Sequence, residues 1–86
     1  MNISKLEQRV LHVLARGGRI RHSRDERGRI AEVICFTHEG HVLSDCTPDL
    51  FARLRRRRMI SSSYGQPYRI TRHGIEAVRA QSDNRF

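Results

Sequence analysis

Thr47-Pro48-Asp49 narrows the fold more than any other stretch, because three consecutive residues carry three separate helix-start signals. A threonine hydroxyl can accept a free first-turn N–H, proline suits the first helical position because it has no N–H to lose, and aspartate suits the positive end of the helix dipole. A helix therefore begins at Thr47. Leu50, Phe51 and Leu54 then share one face at about 3.6 residues per turn, while Arg53, Arg55 and Arg56 point away from it. Carrying the helix further would swing Arg58 back over the apolar stripe, so an end is expected near Arg57 or Arg58, with Met59-Ile60 opening a strand. Tyr64-Gly65-Gln66-Pro67 reads as a turn-rich connection and Tyr68-Arg69-Ile70 as the return strand. Thr71 is the next N-cap, with Ile70 and Ile75 placed as a hydrophobic staple across it.

The first half of the chain leads up to that cap. Ser4-Lys5-Leu6-Glu7 is a capping-box pattern, and Leu6, Val10, Val13 and Leu14 form the expected buried stripe of a first helix. Gly17-Gly18 supplies the left-handed residue that ends it. Arg19 to Arg24 reads as a strand with Ile20 and His22 on one side. Asp25-Glu26-Arg27-Gly28 reads as a hairpin turn, the aspartate opening it and the glycine taking a positive dihedral at its close. On the return from Arg29 to Thr37, Ile30, Glu32, Ile34 and Phe36 alternate with Ala31, Val33 and Cys35. Both faces are fairly apolar, which predicts a central strand with a neighbour on each side. His38-Glu39-Gly40 is a second tight turn and His41-Val42-Leu43 a third short strand.

With 86 residues the chain is expected to be one α+β domain spanning residues 1–86, with residues 81–86 as a frayed tail. Its second half, from L-x-x-L through the hairpin to Y-x-I-T-x-x-G-x-x-x-V, resembles the second half of a winged-helix domain. In that comparison the helix from Thr47 is the recognition helix and the hairpin is the wing. A helix-turn-helix ordinarily has another helix directly before the recognition helix, and here a three-stranded meander takes that place. Ser61 to Gln66, the wing, contains no arginine or lysine, whereas a wing that enters the minor groove usually brings a basic side chain.

Charge narrows the range of partners. Seventeen Lys and Arg against nine Asp and Glu give a net charge of +8, and Lys5 is the one lysine. Guanidinium forks suit phosphates and carboxylates, so an acidic protein or a nucleic acid is the expected partner. Arg55 to Arg58 with Arg53 is the leading candidate surface, extended by Arg69 and Arg72 beyond the wing. The competing reading is a solvated helix end whose cations complement the negative end of the dipole. For Arg19, Arg21, Arg27 and Arg29 on the first hairpin, the solvated reading is preferred. No stretch approaches a membrane span and the amino terminus lacks the apolar core of a signal peptide, so a cytoplasmic protein with free thiols at Cys35 and Cys46 is expected.

Two other chemistries are weaker. Cys35, His38, His41 and Cys46 give a C-x2-H-x2-H-x4-C series with zinc-type donors, but burial in or beside strands accounts for the cysteines without a metal, and no cofactor is expected. The carboxylates are scattered and no serine or cysteine has a sequence-evident base. His12, His22 and His73 as acid or base of a ribonuclease are less favoured than a structural role, and no catalysis is expected.

The chain as a whole resembles the YjhX toxin family. The match is carried by L-H-V-L-A at Leu11 to Ala15, G-G-R-I at Gly17 to Ile20, Arg24-Asp25, Gly28-Arg29, Cys35, Glu39-Gly40 and D-C-T at Asp45 to Thr47. It continues with G-Q-P-Y-R-I at Gly65 to Ile70, V-R-A-Q at Val78 to Gln81 and D-N-R at Asp83 to Arg85. The resemblance implies the toxin half of a toxin-antitoxin pair, which binds DNA topoisomerase I, blocks its action on DNA and is neutralised by a cognate antitoxin protein. It carries over no binding or catalytic residue. The alternative is a winged-helix DNA-binding transcriptional regulator that meets double-stranded DNA through the helix from Thr47.

Overall fold

The structure is a computed structural model and describes residues 3–80; the expected fraying of residues 81–86 lies outside the described residues. Helix α1 (Lys5–Ala15) opens on the capping box as expected: the Ser4 hydroxyl accepts the Glu7 N–H at 3.1 Å and the Glu7 carboxylate accepts the Ser4 N–H at 2.8 Å. Its buried stripe corrects the sequence reading. Leu6 is 48% exposed, and the side chains turned inward are Glu7, Val10, Leu11 and Leu14. These positions follow the i, i+3, i+4, i+7 rule, but one of them is a carboxylate, so a count of apolar residues alone selects Leu6 in its place.

Strands β1 (Arg19–Arg24), β2 (Ile30–Phe36) and β3 (Val42–Leu43) form an antiparallel sheet in the order β1-β2-β3, so β2 is central. The β1–β2 turn closes with Gly28 N–H on the Asp25 carbonyl at 3.0 Å, Gly28 at φ +78°, while Asp25 Oδ1 accepts the N–H groups of Arg27 and Arg29. Register places Ile20 opposite Cys35 and Cys35 opposite Leu43, and this triple faces the core. Arg19, Phe36 and Val42 form the neighbouring triple on the outward face.

Helix α2 (Pro48–Arg56) starts where the cap signals put it, with the Thr47 hydroxyl accepting the Leu50 N–H at 3.2 Å. Leu50, Phe51 and Leu54 are buried. Its end is a Schellman motif: Met59 N–H returns to the Leu54 carbonyl, Arg58 N–H to the Arg55 carbonyl, and Arg58 takes φ +59°. Met59 therefore closes the helix, and the strand β4 (Ile60–Ser61) begins one residue later than expected. A hydrogen bond from Gln66 N–H to the Ser63 carbonyl and positive φ at Tyr64 and Gly65 make the connection a type I′ turn, centred one residue earlier than expected. Strand β5 (Arg69–Ile70) pairs with β4. Helix α3 (Arg72–Arg79) is capped by Thr71, whose hydroxyl accepts the Gly74 N–H and donates to the Arg58 carbonyl.

One pair of backbone bonds joins the two sheets. Ile20 N–H reaches the Tyr68 carbonyl at 3.0 Å and Tyr68 N–H reaches the Ile20 carbonyl at 2.8 Å. Val10, Leu11, Ile20, Leu50, Leu54, Met59 and Val78 are fully buried around this junction, so the three helices and both sheets share one core. Among the described residues, no helix is long and apolar enough to cross a membrane.

Candidate macromolecule-binding surface

The six predicted contact arginines are divided by their immediate surroundings. Arg53 and Arg57 are one turn apart on α2 and turn toward Glu7 on α1, with nitrogen to carboxylate-oxygen distances of 3.6 Å each. Arg69 is exposed, but its guanidinium donates to the carbonyls of Gly17 and Gly18 at 3.3 and 3.5 Å. Arg72 lies 3.9 Å from Glu76 across one turn of α3, both side chains largely in water. Arg55 and Arg56 are exposed, with no ion pair among the described residues. The expected cluster is thus a pair of outward guanidinium groups beside two that are engaged with a carboxylate.

Glu7 explains the division. Burial by itself raises its carboxyl pKa, yet the hydrogen bonds from Ser4 and the charges of Arg57 and Arg53 outweigh burial and hold it below the ordinary value of 4.5. Oε1 serves the helix cap, whereas Oε2 is buried, makes no hydrogen bond and faces the two guanidinium groups. On the neighbouring part of α1, Arg9 meets Asp45 at 2.8 Å. These contacts fasten α1 to the second half of α2 and to the turn that precedes its cap. They spend Arg53 and Arg57 on positioning and leave Arg55 and Arg56 to the solvent.

The Cys35 and Cys46 thiols are buried and hydrogen-bonded to each other, and this contact together with burial pushes the Cys35 thiol far above its ordinary value. His38 and His41 are exposed, and no group of three or more metal-ligating side chains is gathered among the described residues. The C-x2-H-x2-H-x4-C series is therefore not brought together. His22 packs edge-on against Tyr68 at 5.0 Å between centroids, and Phe51 does the same at 4.9 Å, which gives the histidine a packing role.

Two further exposed surfaces stand apart from the six predicted contact arginines. Tyr64 is fully exposed at the tip of the β4–β5 hairpin. On the outer face of the sheet Ile34, Phe36 and Val42 lie together, Val42 63% exposed and the Phe36 ring covered by Arg19 at 5.1 Å. The alternation of Ile30, Glu32, Ile34 and Phe36 contained this signal, but it was used to make β2 central rather than to mark an apolar outer face.

Fold and surface together define a small basic α+β protein whose second helix ends in exposed guanidinium groups. Residues 1–85 match the model of the YjhX toxin family, described as "Putative toxin of bacterial toxin-antitoxin pair". The chain belongs to that family. It is 60% identical over 85 residues to a UPF0386 protein of Beijerinckia indica, covering 99% of this chain and 100% of the relative. A UPF0386 protein of Parvibaculum lavamentivorans is 61% identical, and one of Aliivibrio fischeri 53% identical, each with the same coverage. No solved structure matches the chain.

Proposed function

We propose that this chain is a non-enzymatic toxin that binds DNA topoisomerase I and occludes its path for DNA, and that its antitoxin relieves the block. Membership of a toxin family supports the class. The observation that carries the surface is the exposure of Arg55 and Arg56 beside the anchored pair Arg53 and Arg57. Exposed guanidinium groups on a helix end that the Glu7 contacts hold in place can meet a surface of carboxylates or phosphates with forked, charge-assisted hydrogen bonds. Arg69 on β5 and Arg72 on α3 are exposed and complete the proposed set.

A plasmid-relaxation assay with purified topoisomerase I tests the reading. The wild-type chain should inhibit, and the Arg55→Ala/Arg56→Ala variant should need at least about tenfold more protein for the same inhibition, the scale of losing two charge-assisted contacts. Unchanged inhibition by the variant would remove this surface from the site.

The order α2, β4–β5 hairpin, α3 favours a second reading, a winged-helix regulator on double-stranded DNA. Against it stand the meander before α2 and the absence of a basic side chain between Ser61 and Gln66. Binding to one duplex sequence, with no capture of topoisomerase I, would decide for the regulator.

A further inference from the structure

We propose that the outer face and open edge of β2 form the docking site for an extended acidic segment of the antitoxin, added as a fourth strand. The inference rests on the toxin-antitoxin reading and names the partner surface within it.

The backbone supplies the first argument. The Ile20 N–H and carbonyl point to Tyr68, away from β2. Since these groups alternate sides along a strand, those of Arg19 and Arg21 point toward β2, to Phe36 and Ile34 opposite them. Cys35 and Val33 therefore point the other way, toward β3. Cys35 is opposite Leu43, the last residue of β3, and Thr37 N–H reaches the His41 carbonyl on the same side. Beyond Leu43 the chain turns off toward α2, so among the described residues Val33 has no strand beside it on that side. Its N–H and carbonyl form a short template for an incoming strand, the liability of any sheet edge and a recurrent mode of peptide capture.

The side chains supply the second argument. Ile34 and Phe36 lie on the outward face and Val42 stands opposite Phe36. Arg21, Ser23, Glu32, Ile34 and Phe36 line one open depression on this sheet. Arg19 and Arg21 stand against the one carboxylate of Glu32, so the face is positive around an apolar centre. A polypeptide with carboxylates flanking an apolar residue complements both features, whereas a phosphate backbone would leave Ile34 and Val42 uncovered and the edge groups unpaired. A second copy would bring the same positive face toward this one.

Amide hydrogen exchange of the full chain, alone and with its purified cognate antitoxin, tests the site. Exchange at Val33 should slow at least tenfold in the complex. Ile34→Glu/Val42→Glu should weaken antitoxin affinity at least tenfold with the thermal midpoint retained. Should that variant fail to fold, Arg21→Glu, at an exposed position, should lower the affinity by a similar factor. Protection confined to another element, or full affinity in a folded face variant, overturns the site while the toxin-antitoxin reading stands. Self-association through this face in ultracentrifugation, or loss of duplex-DNA binding in place of antitoxin binding, also overturns it. Failure of the wild-type chain to bind the antitoxin removes the toxin-antitoxin reading and the site with it.

Discussion

At Glu7 a single carboxylate caps one helix and holds the end of another, so its ionisation state is felt in two elements at once. Its folded pKa lies below the ordinary 4.5, so its contribution is fully present above that value and is lost as pH falls through the lower folded value. Glu7→Gln should therefore cost about 1–2 kcal/mol at neutral pH, the scale of a charge-assisted hydrogen bond partly kept by the amide. In urea titrations the difference should shrink as pH is lowered below 4.5 and through the depressed folded value. Gly74 is a second position where one atom decides. A Cβ there would strike the Met59 carbonyl oxygen and approach Ile70 Cγ1 at 2.7 Å, and the carbonyl cannot move because it also accepts the Thr71 N–H. Gly74→Ala should destabilise by about 1–3 kcal/mol despite alanine's better helix propensity, a result that thermal unfolding can read.

Helix ends show which parts of the fold were legible and which were not. Helices α1 and α2 both finish in Schellman motifs: Gly18 N–H returns to Val13 and Gly17 N–H to Leu14 in the first, and Met59 and Arg58 repeat the pattern in the second. The first end could be read because Gly17 occupies the left-handed position at φ +101°. At the second the same position is Arg58, and nothing in an arginine announces a left-handed backbone. The helix length was still inferred from the stripe, because another turn would have carried Arg58 over its apolar face. Arg58→Gly should stabilise the chain by up to about 1 kcal/mol, relieving the Cβ cost of that conformation, and denaturant midpoints of folded variants would show it. Thr47, Thr71 and Ser4 were legible for the opposite reason, since a cap is written in the residue that makes it. The inward turn of Glu7 and the partition of the arginines were not. Each depends on which element lies opposite, and sequence spacing carries no information about that.

Across the whole molecule, a charge of +8 acts in two ways that salt can separate. The general field should hold duplex DNA at low ionic strength and release it as counterions compete, with a loss of roughly tenfold or more between about 50 and 200 mM salt. A docked protein surface that also buries apolar area should lose much less over the same range. Gel shifts on random duplex beside capture of topoisomerase I, both across that salt series, should give the steeper slope for DNA. Equal slopes would mean that the arginines act as a diffuse cloud. The two surfaces inferred here lie on different elements, the end of α2 and the outside of β2.

The bonds between Ile20 and Tyr68 also bear on what becomes of an incomplete chain. A ribosome that stalls before residue 68 releases a product in which β1 has lost its partner across the junction and the floor under Leu11 and Leu54 is missing. Such a remnant has no route to a smaller folded unit. The shared core closes only once Tyr68 and the residues after it have been made.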